Sequence, residues 1–219
     1  MSGLILTGWT GLEFAHIAAN TLPIMADYAV THGMDFACAN LAGERPPSWI
    51  KVSAIHQALG DHELVVWIDA DVVIVDPSQN IAADLQPGHV QALVEHRTNC
   101  GPVPNCGVWV ATRELRPWLE EAWNGGTDID HPWWEQATMM RLMGYRVELD
   151  SHGSPNATLD TPTTLHERTT WLHSRWNHHP RDERRVDPPA FYHVTQYADR
   201  IATVRHFCKS AGRAGRADP

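Results

Sequence analysis

Short apolar runs alternate with segments of helical periodicity along the first half of the chain. Strand-like runs begin near residues 4, 34, 65, 90 and 107, and most are separated by stretches with apolar residues at helical spacing. The clearest helix has an apolar stripe at i, i+3, i+4, i+7 and i+8, formed by Leu115, Trp118, Leu119, Ala122 and Trp123. This alternation predicts an α/β fold with a mainly parallel central sheet flanked by helices.

Local signals place the ends of the other predicted helices. Thr21–Pro23 predicts a helix start with proline in the first turn, and that helix is expected to end near Thr31. Ser48 is a candidate N-cap for a second helix, which Gly60 would close. A further helix is expected over about 130–143, because a Pro-containing start and a glycine beyond the end bracket it.

The C-terminal third has weaker signals. A short strand is predicted over 146–149, and the Pro, Thr, Asn and Gly content of 151–170 predicts a long connection that could serve as a binding segment. The polar, Gly/Ala-rich segment 206–219 is expected to be a disordered tail. Residues 1–205 are therefore predicted to form one domain, which suits a chain of 219 residues.

Charge and cysteine content exclude several classes of protein. The formal net charge of −9 argues against nucleic-acid binding, because that needs clustered Lys and Arg. The chain shows neither a signal peptide nor a long apolar span, so no membrane span is predicted and a cytoplasmic location is expected. The cysteines lack CxxC spacing and predict neither a zinc site nor a disulfide framework: Cys38, Cys100, Cys106 and Cys208.

The acidic pair Asp69 and Asp71 is the most informative feature of the sequence. It follows the apolar run VVWI, and side chains two apart in an extended segment point to the same side. Two carboxylates suit a hard divalent cation that is shared with phosphate oxygens. Acids at a strand end can instead cap a turn or face solvent, but ligands of open α/β sheets bind beyond the carboxyl ends of strands, which favours a functional role.

The order of motifs resembles the GT-A-type glycosyltransferases. The similarity is to retaining galactosyl-, xylosyl- and mannosyltransferases of the yeast mannan and plant xyloglucan kind, with glycogenin-like and bacterial lipopolysaccharide galactosyltransferases as cousins. It spans most of the chain and rests on YAVTHGMDF (28–36), the Trp49-x-Lys51 helix, WIDADVVIVDP (67–77), NCGVWVAT (105–112), WWEQATM (133–139), RWN (175–177) and YHVTQY (192–197).

This resemblance implies a single Rossmann-like GT-A domain that transfers a hexose or related sugar. The donor would be a nucleotide sugar, with UDP the expected nucleotide, and the acceptor a small molecule, a glycan or a peptide. Asp69 and Asp71, with Ala70 between them, would hold Mn²⁺ or Mg²⁺ against the donor diphosphate, and Asp69 would also approach the ribose. His193 would be the third protein ligand. A packed or solvated histidine is the alternative there, and His178-His179 is the rival pair.

The resemblance also implies contacts to the rest of the donor. The loop Thr7-Gly8-Trp9 ends the first strand and is expected over the base and ribose, where Trp9 could stack on the base or on protein. Lys51 would face the donor phosphates or sugar, unless it is a solvated helix lysine. Asn105 would hydrogen-bond sugar hydroxyls, and Gly107 would let the chain approach; a turn and a tight packing site are their alternatives.

Catalysis is expected from Glu135 and Gln136 at the start of a helix, where an acid is also favoured by the helix dipole alone. In the family this acid binds the donor sugar and the glutamine lies beside the anomeric carbon. Since glutamine is a poor nucleophile, we predict retention by front-face attack. The glycine and lysine that follow the family histidine are missing here, and Arg200 or Arg205 is the candidate to replace the lysine's phosphate contact.

Two other functions compete with this prediction. IDADVVIVD also fits a haloacid-dehalogenase-like phosphatase with Asp69 as nucleophile and Asp71 as acid. That chemistry needs a later lysine, and Lys209 in the tail is the only one. A sugar-nucleotide-binding protein without turnover is the third possibility. Neither the donor sugar nor the acceptor can be read from the sequence.

Overall fold

The computed structural model describes residues 2–98, 100–126, 128–180, 189–195 and 197–214. Its strands are β1 (Gly3–Trp9), β2 (Asp35–Asn40), β3 (Leu64–Ile68), β4 (Val72–Ile74), β5 (Gln91–Thr98), β6 (Gly101–Thr112), β7 (Tyr145–Leu149), β8 (Pro155–Leu159), β9 (Thr169–Trp171) and β10 (Phe191–His193). Its α-helices are α1 (Leu12–Thr31), α2 (Pro47–Asp61), α3 (Arg116–Gly125), α4 (Trp134–Leu142), α5 (Thr164–Glu167) and α6 (Arg200–Ala214). None of these helices is both long and apolar enough to cross a membrane.

The central sheet has the strand order β2-β1-β3-β6-β5-β9. β1 runs parallel to β2 and β3, and β5 runs parallel to β9, whereas β6 is antiparallel to both of its neighbours. Two small antiparallel sheets stand apart from it, one of β4 with β10 and one of β7 with β8. This mixed sheet flanked by helices confirms the predicted α/β class.

The alternation of side chains along β3 explains how helices cover both faces of the sheet. All five of its residues are buried, as expected for a central strand. Val65 and Trp67 point into the apolar cluster that holds the buried faces of α2, α3 and α4. Val66 and Ile68 point into the opposite cluster, which α1 covers. The period of two along one strand thus builds two hydrophobic layers.

The start of α1 differs from the prediction. The helix begins at Leu12, so Pro23 lies inside it rather than in its first turn. The buried residues Ile17 and Ala18 precede the proline, and burial of this earlier stretch outweighs the local cost of losing one backbone donor. α2 likewise begins at Pro47, with Pro46 rather than Ser48 at its cap position.

The C-terminal third is more ordered than its composition indicates. Where a long connection was expected over 151–170, the chain forms β8, α5 and β9, and β9 becomes an edge strand of the central sheet. The disorder expected from 206 is not seen up to Ala214, because α6 continues to that residue, and Val204 packs in a cluster with Ile17 of α1 and Val73 of β4. Residues 215–219 lie outside the described residues.

Candidate functional site

A cavity of about 940 Å³ opens at the edge of the sheet where β1 and β3 end. In open α/β sheets this edge is where ligands bind. The cavity is lined by Gly8, Trp9, Lys51, Asp69, Ala70, Asp71, Asn105, Gly107, Glu135, Gln136 and His193, which are all the predicted site residues except one. The exception is Thr7, which is fully buried within β1 and does not reach the cavity.

Asp69 and Asp71 follow the end of β3, as predicted, but they occupy a turn between β3 and β4 rather than an extended segment. The backbone N–H of Asp69 donates to the Gly107 carbonyl over 2.7 Å, and Val72 N–H donates back to the Asp69 carbonyl over 2.9 Å. The indole Nε1 of Trp67 donates to Asp69 Oδ1 over 2.6 Å. This fixes one oxygen of Asp69 and leaves Oδ2 towards Asp71 and His193.

His193 reaches the acidic turn because β10 pairs antiparallel with β4, in a register that sets His193 opposite Val72. Its Nε2 lies 3.4 Å from Asp71 Oδ1 and 4.0 Å from Asp69 Oδ2. One ligand atom from each of the three residues can lie within 4.8 Å of the others, and of the described residues only these form such a group. His178 and His179, the rival pair, do not belong to it.

The ring of His193 is held from behind by two asparagines and a glycine. Its Nδ1 lies 3.0 Å from Asn177 Oδ1, and Asn177 Nδ2 donates to Asn105 Oδ1 over 2.8 Å. Asn105 Oδ1 also accepts the backbone N–H of Gly107 over 2.9 Å. A Cβ on Gly107 would lie 2.4 Å from His193 Cε1, so this position needs glycine to make room for the imidazole.

Burial and charge act in opposite directions on this cluster. Burial raises the pKa of the Asp71 carboxyl, but the His193 imidazolium and the Arg200 guanidinium outweigh it, so this pKa is lowered. Burial lowers the pKa of His193, but the nearby Asp71 and Asp69 carboxylates outweigh it, and this pKa is raised. The two shifts agree in that each group, 3.4 Å from the other, stabilises the charged form of its partner.

Lys51 is a buried ion-pair partner and not a solvated helix lysine. Its side chain is 5% exposed, and its Nζ lies 2.7 Å from Glu135 Oε1 and 3.5 Å from Asp69 Oδ1. It also donates to the Cys106 carbonyl over 3.2 Å. Burial lowers the pKa of Lys51, but the Asp69 and Glu135 carboxylates raise it by more than burial lowers it, so the amine stays charged.

Glu135 and Gln136 differ sharply in their surroundings. Glu135 is 3% exposed and held by Lys51, so its position is explained by this ion pair rather than by the helix dipole alone. Gln136 is half-buried, lines the cavity and accepts the Cys106 N–H through Oε1 over 3.3 Å. Trp134, beside them, is half-exposed with φ of 42°, an unusual backbone conformation for a large residue.

Sequence reasoning missed several residues that shape the site. Asn177 entered only as part of the RWN landmark, and Trp67 only as part of the strand that leads to Asp69. Only the tertiary fold brings Asn177 close to the site, so no local signal could have indicated it. The i, i+2 spacing of Trp67 and Asp69, by contrast, was a usable local signal. His96 and His179 also line the cavity, and nothing in the sequence singled out His96.

No protein-family model and no curated protein matches the chain. A glycosyltransferase involved in the glycosylation of the major capsid of PBCV-1 is similar in structure, with a TM-score of 0.68 at 15% identity over 94% of this chain and 98% of that one. The galactosyltransferase LgtC has a TM-score of 0.60 at 12% identity over 96% of this chain and 95% of its own. GlyE of Streptococcus pneumoniae has a TM-score of 0.55 at 10% identity over 94% of this chain and 60% of its own.

The chain has the GT-A fold. The similar structures are glycosyltransferases of this fold, which agrees with the predicted fold class. At these identities the likeness extends to the fold alone, and the narrower resemblance to the mannan and xyloglucan enzymes stays a prediction.

Proposed function

We propose that this protein is a divalent-cation-dependent glycosyltransferase that transfers a hexose or related sugar from a UDP-sugar with retention. The observation that carries the proposal is the convergence of Asp69, Asp71 and His193 in a cavity at the ligand-binding edge of a GT-A sheet. The cavity volume of about 940 Å³ lies within the range of small-molecule sites.

The three ligand residues fit Mn²⁺ or Mg²⁺. Two carboxylates and one imidazole supply oxygen and nitrogen ligands at one point, and such cations are commonly shared between protein carboxylates and substrate phosphates. When bound there, the cation would neutralise the charge that develops on the departing nucleotide. Asp69 would contribute Oδ2, because Trp67 and Lys51 hold Oδ1.

Arg200 is our candidate for the phosphate contact that the family lysine would make. It lines the cavity from the start of α6, with Nη1 3.9 Å from Asp71 Oδ2 and Nη2 2.9 Å from Glu13 Oε1. Arg205, the other candidate, is exposed and does not line the cavity. Arg200 therefore places a positive charge beside the acidic cluster, where a diphosphate would need it.

Other contacts to the donor follow from the lining of the cavity. We assign the base and ribose to Gly8 and Trp9, and leave out Thr7 because it is buried. Asn105 Oδ1 already accepts two hydrogen bonds within the protein, which fills both of its lone pairs. A hydrogen bond from Asn105 to a sugar hydroxyl must then come from Nδ2. Lys51 acts by fixing Asp69 and Glu135 in place.

The chemistry that we propose is front-face transfer. The acceptor hydroxyl attacks the anomeric carbon on the side that the nucleotide leaves, and its proton passes to the departing phosphate oxygen. The amide of Gln136 stabilises the oxocarbenium-like centre. Glu135 is buried against Lys51, so we assign it the positioning of Lys51 rather than the role of a nucleophile.

The test is binding and hydrolysis of UDP-sugars. We expect UDP with Mn²⁺ to raise the melting temperature, several UDP-sugars to be hydrolysed slowly, and Asp71→Asn to abolish this hydrolysis without unfolding the protein. The matched control is Asp27→Asn, an exposed position on α1, which should leave turnover unchanged. Unchanged hydrolysis in Asp71→Asn would remove Asp71 from the site.

The same experiment separates the rival functions. A phosphatase would hydrolyse phosphomonoesters and show no shift with UDP and Mn²⁺. Against that reading, Lys209, the later lysine it would need, is exposed on α6 and does not line the cavity. A binding protein without turnover would show the UDP shift and no hydrolysis of any sugar nucleotide offered.

A further inference from the structure

The hydrogen bonds behind His193 have only one consistent direction. The backbone N–H of Gly107 can only donate, so the Asn105 atom that faces it is the oxygen. That same oxygen faces the side-chain amide of Asn177, which must therefore present its NH₂ group there. The other end of the Asn177 amide, the carbonyl oxygen, is then left facing His193 Nδ1.

The direction of these hydrogen bonds determines which nitrogen of His193 carries the proton. Because Nδ1 faces the Asn177 carbonyl oxygen, Nδ1 must be the donor, and a neutral ring then has its lone pair on Nε2. Nε2 is the atom that points to Asp71 and Asp69. A histidine ligand needs this lone pair, and its tautomer is set by the partner of the other ring nitrogen.

We propose that Asn177 and Asn105 are positioning residues that hold His193 in the Nδ1–H tautomer, so that Nε2 is presented as the metal ligand. This inference rests on the proposed function, since it concerns the cation site of that function. We name Asn177 and Asn105 together the asparagine relay.

The packing of the relay supports a dedicated role. Asn177 is fully buried, and its backbone carbonyl accepts a hydrogen bond from His96 Nε2 over 2.7 Å, which fixes the residue from a third direction. Gly107 supplies the donor that sets the direction and also the space that the imidazole occupies. The stretch of β6 from Asn105 to Gly107 therefore makes room for the ring of His193 and, through Asn177, sets its tautomer.

Metal affinity without nucleotide is the first readout. Asn177→Ala should weaken Mn²⁺ binding by about 10- to 100-fold in calorimetry on the full chain, the range for loss of a hydrogen-bond partner of a ligand. Asn105→Ala should weaken it less, because Asn177 can still meet Nδ1 in one of its two amide orientations. The double variant should be no worse than Asn177→Ala, since both residues act through one chain of bonds.

Trp176→Phe is the matched control for a loss of packing. Trp176 neighbours Asn177 in the same 3₁₀ turn and is equally buried, but its indole Nε1 donates to Asp84 Oδ2, away from the relay. This variant should lower the melting temperature and leave the Mn²⁺ dissociation constant unchanged. Similar weakening of Mn²⁺ binding in Trp176→Phe and Asn177→Ala would show a general structural effect and overturn the proposal.

The tautomer itself is the second readout. In metal-free protein with ¹⁵N-labelled histidine, at a pH where the His193 ring is neutral, its ring signals, assigned by their absence in His193→Gln, should show the proton on Nδ1. In Asn177→Ala this preference should weaken or disappear. A proton on Nε2 in the wild type overturns the relay. Absence of any Mn²⁺ or Mg²⁺ binding by the wild type overturns the cation site of the proposed function instead, and the relay with it.

Discussion

Gly107→Ala tests the geometry of the site through a single added methyl group. The new Cβ would lie 2.4 Å from His193 Cε1 and 2.9 Å from His193 Nδ1, whereas ordinary contacts begin at 3.4 Å. One of the two groups must therefore move by about 1 Å, which is the overlap of the first contact. The Gly107 backbone is held in β6 and accepts the Asp69 N–H, so we expect the imidazole to move.

The magnitude follows from this displacement. Overpacking of this kind costs about 1–3 kcal/mol in the free energy of unfolding, which urea denaturation of the metal-free protein would measure. Metal–ligand distances tolerate shifts of only about 0.2 Å, so a ring moved by about 1 Å should weaken Mn²⁺ binding by at least about tenfold. Calorimetric titration with Mn²⁺ measures this loss directly.

The matched control is Gly60→Ala on α2, where an added Cβ meets nothing within 4 Å. In a helix this change should raise the free energy of unfolding by about 0.5–1 kcal/mol, with no effect on Mn²⁺ affinity. If Gly107→Ala binds Mn²⁺ as tightly as the wild type, His193 is not a ligand and the geometric reasoning is refuted.

Three further variants test the surroundings of the cluster. Lys51→Met should lower the free energy of unfolding, measured in urea, by about 3–5 kcal/mol, since it leaves the buried Glu135 carboxylate unpaired. Adding Glu135→Gln should recover part of this loss, and no recovery would contradict the ion pair. Arg200→Gln should weaken UDP binding in calorimetry. It should not weaken the binding of Mn²⁺ alone, because the guanidinium lies 3.9 Å from Asp71 and repels a cation. Equal weakening of both would contradict the assignment of Arg200 to the phosphate. The free energy of unfolding should be about 1 kcal/mol higher for Trp134→Gly than for Trp134→Ala, because φ of 42° at this position strains any residue with a Cβ. Equal stabilities of the two variants would contradict this backbone strain.

Local chemistry explains why the acidic pair could be predicted from the sequence. Two carboxylates after a buried strand are visible without any tertiary information, and their position at the sheet edge follows from the fold class. The turn that holds them was not predicted, because only Asp69–Asp71 separate the apolar run of β3 from Val72–Ile74, which resumes it. Those residues belong to a different sheet, and hydrophobic periodicity does not show which strand a segment pairs with.

Partners distant in sequence account for the other differences. Lys51 reads as a helix lysine until the fold brings Glu135 within 2.7 Å of it, and only that pairing permits its burial. The edge strand β9 is three residues long and lies in a Thr- and Pro-rich stretch, so its propensity signal is too short to separate from a loop. Thr7 was placed by its position at a strand end, but β1 continues to Trp9 and keeps it buried.

The candidate cation site combines residues from two parts of the chain that are far apart in the sequence. Asp69 and Asp71 come from the turn after β3, whereas His193 and Arg200 come from β10 and the start of α6. The backbone N–H of Val194 donates to the Asp71 carbonyl over 2.9 Å, and this contact holds the neighbouring His193 beside the acidic turn. A cation bound by both parts would stabilise this docking by its own binding free energy. If Asp69, Asp71 and His193 bind a cation as proposed, the packing of His193 against the acidic turn and the binding of the cation are thermodynamically coupled.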